Sequence, residues 1–127
     1  MKTIISTQKA PSAIGPYNQA TAFDKLIFTS GQIALDPTTM EIVEGGVQEQ
    51  TKQVMENLKA VLEEAGSSFE NVLKTTCYLS DMDNFVAFNE VYAQYFKGET
   101  APARSTVAVK TLPKNVLVEV DTIAFKN

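Results

Sequence analysis

The run Val116-Leu117-Val118 carries apolar side chains at consecutive positions inside a segment, Val116 to Phe125, that otherwise has the composition of a β-strand. Successive strand side chains point to opposite faces, so such runs, which recur in several strand-like segments here, ask for burial on both faces of a sheet. Only two segments of the 127-residue chain have the period of a helix, too few to cover both faces. The uncovered face is therefore expected to meet another copy of the chain, and a homo-oligomer follows.

The remaining elements read in order. Thr3 to Ser6 forms a first strand and Ile14-Gly15-Pro16 a turn. Tyr17 to Phe23 and Leu26 to Gly31 are two strands joined at Asp24-Lys25. Asp36-Pro37-Thr38-Thr39 is a further turn. From Val47 to Ala65 the period changes: Val47, Val54, Met55, Leu58, Val61, Leu62 and Ala65 share one helical face, with Gly66 as the stop. Val72 to Leu79 reads as a strand holding a buried Cys77. Ser80 or Asp81 caps a second helix through Phe96, with a stripe of Phe85, Phe88, Tyr92, Tyr95 and Phe96. Ala103 to Lys110 and Val116 to Phe125 close the chain around a Leu112-Pro113-Lys114-Asn115 turn. The order β-β-β-α-β-α-β-β describes one continuous α+β domain, 1–127, with two helices on one face of a mixed sheet.

Composition excludes much chemistry. The chain has no His and a single Cys, so His-dependent nucleophiles and bases, His-ligated zinc, Cys-cluster metals and an internal disulfide are all ruled out. Eleven basic residues against fifteen acidic ones leave a net charge of -4, which opposes a nucleic-acid partner. The first residues lack the apolar core of a signal peptide, and no apolar run approaches the ~20 residues of a membrane span, so a cytoplasmic protein without membrane contact is expected.

Two charges stand out. Arg104 is the only arginine, set among small and apolar neighbours; its planar fork suits a small organic acid, and equally an ion pair at a strand end or subunit interface. Glu119 lies within Val116-Leu117-Val118-Glu119-Val120, where desolvation favours a general base; a solvated edge position or a structural partnership with Arg104 are the alternatives. If the last two strands pair as a hairpin with Thr106 opposite Glu119, then Arg104, Thr106 and Glu119 share a face, whereas a one-residue slip separates them. Ser30-Gly31 ends a strand where a hydroxyl and a free N–H can hold a carboxylate or a water, or simply turn the chain. Tyr17 follows a fixed Gly15-Pro16 turn that aims its ring, toward a site or into a core or interface. Asn89 interrupts the aromatic stripe and must find a backbone or ligand partner.

Ala13-Ile14-Gly15-Pro16-Tyr17, Thr29-Ser30-Gly31-Gln32-Ile33, Pro102-Ala103-Arg104-Ser105, Leu112-Pro113-Lys114 and Val118-Glu119-Val120 together resemble the RidA/YjgF family of imine and enamine deaminases over nearly the whole chain. The middle segment, with Glu49-Gln50-Thr51, looks most like the bacterial YabJ-type members. The resemblance implies a chorismate-mutase-like fold with a six-stranded sheet, assembled as a homotrimer around a central β-barrel with clefts between subunits. It also implies cofactor-free hydrolysis of 2-iminobutanoate and 2-iminopropanoate to 2-oxo acids and ammonia. By position, Arg104 clamps the substrate carboxylate and Glu119 polarises the attacking water. Ser30 and the Gly31 amide place ligand or water, and Tyr17 and Asn89 line the cleft. Thr106 occupies a position where many bacterial members have Cys, and a hydroxyl there still donates a hydrogen bond. Two other readings stand beside the deaminase: a non-catalytic regulatory protein binding 2-oxo acids or amino-acid metabolites in purine or branched-chain amino acid metabolism, and a ribonuclease, which the net charge and the lone arginine disfavour.

Overall fold

The computed structural model describes residues 1–127. Six strands, β1 (Thr3–Ile5), β2 (Ala20–Phe23), β3 (Leu26–Thr29), β4 (Val72–Leu79), β5 (Ala103–Ala108) and β6 (Val118–Phe125), accompany two α-helices, α1 (Val47–Glu64) and α2 (Phe85–Tyr92). The strands form one mixed sheet in the order β1-β2-β3-β6-β4-β5, in which only β4 and β5 run parallel. No helix is long and apolar enough to cross a membrane.

Both helices lie on one face. The apolar stripe of α1 supplies Val54, Met55, Leu58, Val61 and Leu62, all fully buried against the sheet residues Ile27, Val118, Val120 and Ala124. Truncating Leu58 to Ala in such a setting costs about 2–5 kcal/mol. Two buried amides tie α1 to the loops around it. Asn57 Nδ2 donates to the Leu35 and Ile33 carbonyls at 2.9 and 3.2 Å, and Gln50 Oε1 accepts from the Leu117 N–H at 2.8 Å. Gly66 follows the helix at φ +81°, the left-handed position that a side chain rarely tolerates.

Several boundaries differ from the sequence expectation, each for a physical reason. The second strand starts at Ala20 and not at Tyr17, because the Tyr17 N–H turns back to the Gly15 carbonyl and the Asn18 carbonyl accepts from the Ser30 hydroxyl, so the ladder with β3 begins only at Ala20. The second helix ends at Tyr92 and not at Phe96: the Gln94 and Tyr95 N–H groups bond to carbonyls three residues back, so the last turn tightens while Phe96 still reaches the core. At the other end of α2, a short 3-10 turn, Met82–Asn84, capped by Asp81 through the Asp83 N–H, precedes the helix. The final strand begins at Val118, so Val116 and Leu117 lead into it.

The open face of the sheet nevertheless carries the exposed apolar surface anticipated from those runs. Leu26, Phe28 and Val107 are 42%, 44% and 46% exposed there, beside Ile4, Phe23 and Phe125. The hairpin of the last two strands does not form. β6 inserts between β3 and β4, and β5 pairs with β4 alone, so the two strands never touch.

Candidate functional site

Arg104 stands on the outermost strand, opposite Thr75 of β4, which in turn faces Thr122 of β6. That row points to the helix side of the sheet, where Thr75 and Thr122 are buried. There α2 offers Phe85, Asn89 and Tyr92, spaced so that one helical face presents all three. The guanidinium carbon lies over the Tyr92 ring at 4.7 Å and the Phe85 ring at 5.4 Å from their centroids, and Nη1 donates to Asn89 Oδ1 at 2.6 Å. Asn89, placed on the aromatic stripe by its spacing, thus finds its partner in Arg104. Because Asn89 is a neutral amide, no anion pairs with the guanidinium there, and one contact uses only one of its N–H donors. The cleft beside it, about 410 Å³, is walled by Phe96, Ala101 and Pro102.

Thr106 sits two residues on, opposite Cys77, on the same face. Its Oγ1 is buried with no hydrogen-bond partner. Burial pushes the Cys77 thiol up to about 11, so it stays protonated and inert, as expected of a packed cysteine.

Glu119 is on the other face. It pairs with Tyr78 of β4, and along β6 the half-buried Glu119, Asp121 and Ile123 alternate with the buried Val118, Val120 and Thr122. The one-face grouping of Arg104, Thr106 and Glu119 is therefore corrected: Arg104 and Thr106 share a face, and within one chain the sheet separates Glu119 from both. A two-way bridge between Gln32 and Val120 draws the chain after β3 across this strand, with N–H to carbonyl distances of 2.9 and 3.2 Å. Gly31 is thereby pressed onto the glutamate. A Cβ at Gly31 would lie 2.8 Å from the carboxyl carbon of Glu119, so glycine is required for the carboxylate to rest where it does. Burial, followed by the negative charge of Asp121, raises the Glu119 carboxyl above its ordinary range.

The same carboxylate lines a cavity of about 490 Å³ with Tyr17, Ser30, Gly31, Ile33 and Lys114. Tyr17 is half exposed at its rim, turned by the Tyr17 N–H bond to the Gly15 carbonyl at 2.8 Å. Lys114 and Asn115 both hold positive φ, 55° and 57°, an uncommon conformation for residues other than glycine. Ser30 departs from expectation in one respect. Its hydroxyl donates to the Asn18 carbonyl at 2.6 Å, and a carbonyl can only accept, so Ser30 presents lone pairs to the cavity. It suits an N–H group or a water, not a carboxylate oxygen.

The wall around Tyr17 hangs on a residue that gave no sign in the sequence. Gln19 is buried; its Oε1 accepts from the Thr7 N–H at 2.7 Å, and its Nε2 donates to the carbonyls of Thr7, Ala10 and Pro11 at 3.0, 3.3 and 2.8 Å. Asp121, also missed, was legible in the alternation Glu119-Val120-Asp121. Phe85 and Tyr92 were read only as members of the second helix's stripe, and their helical spacing from Asn89 was the available signal for their place beside Arg104. No three His, Cys, Asp or Glu side chains gather as a metal-ligand group.

Each chain thus holds two polar clusters on opposite faces of its sheet. One is cationic and aromatic, built on Arg104, Asn89, Tyr92 and Phe85; the other is acidic, built on Glu119, Gly31, Ser30 and Tyr17. The family model described as Endoribonuclease L-PSP matches residues 7–126. A 2-iminobutanoate/2-iminopropanoate deaminase of Mus musculus is 48% identical over 126 residues, covering 99% of this chain and 93% of the relative. A RutC family protein of Pyrococcus abyssi is 54% identical, covering 98% of each chain. Among solved structures, E. coli TdcF with bound serine superposes with a TM-score of 0.91 at 43% identity, covering 98% of this chain and 99% of that one.

Proposed function

Since this chain belongs to the Endoribonuclease L-PSP family, the RidA/YjgF group of Rid proteins, we propose that it hydrolyses 2-imino acids such as 2-iminobutanoate and 2-iminopropanoate to 2-oxo acids and ammonia. The observation that carries this reading is the pair of complementary half-sites. A 2-imino acid has a carboxylate at one end and a C=N group beside it; Arg104 suits the first, and the Glu119 and Ser30 acceptors suit the second.

The two halves face opposite sides of one sheet, so the working site is formed between copies, with Arg104 from one and Glu119 from its neighbour. The apolar open face supplies the surface for that assembly, and the arrangement we favour is a homotrimer. A relative that binds serine, also a carboxylate beside a nitrogen-bearing carbon, agrees with this choice of ligand.

The reaction needs little machinery. A protonated imine is already electrophilic, and holding a water beside it removes much of the entropic barrier. Glu119, made more basic than an ordinary carboxylate by its surroundings, takes a proton from that water as oxygen bonds to the imine carbon. The resulting carbinolamine carries an amine, to which the proton is returned. The C–N bond then breaks as Glu119 takes the hydroxyl proton and passes it to the departing ammonia, so that iminium and water become the 2-oxo acid and ammonium. Ser30, facing the cavity as an acceptor, holds the nitrogen's N–H through these steps. Arg104 fixes the carboxylate and, with Asn89, keeps the carbon in line.

An RNA-cleaving reading is weaker, because the net charge is -4 and the chain has neither a second arginine nor a histidine. The test is a coupled assay in which a threonine dehydratase generates 2-iminobutanoate and the surviving imine is trapped. Wild type should deplete the imine, and Arg104→Ala and Glu119→Gln should lose at least about 100-fold of the acceleration. Tight 2-oxobutanoate binding with no imine depletion would favour the regulatory reading instead.

A further inference from the structure

Arg104 is on an exposed edge strand, where a long side chain ordinarily samples many rotamers and loses that freedom only on binding. Its surroundings do not allow this. Phe85 and Tyr92 both lie under the guanidinium, within the range where a cation is held by an aromatic face, and Asn89 fixes Nη1. Of the two rings, Tyr92 is nearer and is itself anchored: its hydroxyl shares a 2.8 Å hydrogen bond with Thr75 Oγ1. Thr75 is fully buried on β4 directly opposite Arg104, so strand and helix are pinned together at the row that carries the arginine. Phe88 and Phe96 also pack against the ring, at centroid distances of 5.4 and 4.8 Å. A buried tyrosine hydroxyl is usually satisfied by backbone or water, whereas this one binds the side chain beside the arginine.

We infer that Tyr92, locked by Thr75, is a positioning residue that holds the Arg104 guanidinium in one orientation before any ligand arrives. The inference rests on the proposed reading of Arg104 as the carboxylate clamp for its functional meaning, but the ordering itself does not depend on that reading. Preorganisation lowers the entropy lost on binding, so its effect falls on affinity and not on the chemical step.

Because the chain has a single arginine, its guanidinium Nε–H gives one resonance in a proton–nitrogen spectrum. In the ligand-free protein its order parameter should be about 0.8 and should fall below about 0.6 in Tyr92→Leu, with backbone amides of α2 unchanged. Tyr92→Phe keeps the ring and folds conservatively; it and Thr75→Val should each produce an intermediate fall, and the two together no more than either alone. Titration with 2-oxobutanoate supplies the second arm: about tenfold weaker binding for Tyr92→Leu, and no further loss when that change is added to Arg104→Ala. A mobile Nε–H in wild type, or an unchanged order parameter in Tyr92→Phe and Tyr92→Leu, overturns the inference. If the order parameters behave as expected and Arg104→Ala does not weaken binding, the positioning stands and the clamp reading fails.

Discussion

Arg104 and Glu119 project from opposite faces of the same sheet. Arg104 shares a cross-strand row with Thr75 and Thr122, and Glu119, three residues before Thr122 on a strand of period two, points the other way. A site that uses both must draw them from two chains. On the proposed reading, mixing Arg104→Ala and Glu119→Gln subunits should therefore restore imine hydrolysis that neither variant has. Random assortment in a ring of copies, each site taking one residue from each of two neighbours, recovers about a quarter of the wild-type sites. The coupled imine assay on co-refolded chains measures this, and no recovery above the separate variants would mean that each chain works alone.

Gly31→Ala tests the seat of the carboxylate. The new Cβ meets the flexible end of Glu119, which moves aside, so the fold should survive while the proposed general base is misplaced. Thermal unfolding should shift little, and kcat/KM should drop by about 100-fold.

Asp121→Asn separates the two acids of β6. Both carboxyls are raised, chiefly by burial, so the folded chain holds protons that the unfolded chain releases more readily. Their protonated forms favour the fold; this contribution is complete below the ordinary carboxylate range and is lost as pH climbs through the raised values. Asp121→Asn should accordingly raise Tm at pH 7 and leave it unchanged near pH 3. Because the Asp121 charge also raises Glu119, the acid limb of the rate profile should move to lower pH in the same variant. Calorimetry and a pH series read the two effects.

Gln19→Leu removes both the acceptor for one N–H and the donor for three carbonyls. The expected loss is about 3 kcal/mol of stability by urea denaturation, with protease cutting appearing in the segment before Tyr17. Gln19→Glu should fare no better, since a carboxylate accepts but cannot donate to the carbonyls.

Much of this fold follows from local patterning. The stripe of α1, its glycine stop, the aromatic ladder of α2, the buried Cys77 and the demand for burial on both sheet faces are properties of neighbours in sequence, where a period of 3.6 or 2 decides which side chains share a surface. The exceptional status of Arg104 and Glu119 was equally visible, because a lone arginine and a carboxylate between valines are unusual wherever they land. Tertiary structure decided what those two residues could do together. Strand order is a long-range choice: β6 gains more by entering between β3 and β4, where both edges of its backbone are paired and Val118, Val120 and Ala124 meet the core, than by folding back on the adjacent β5. That choice set the register, and the register placed the two charges on opposite faces. The direction of the Ser30 hydroxyl and the four bonds of Gln19 were likewise beyond sequence, since each depends on backbone groups that only the folded loop brings within reach.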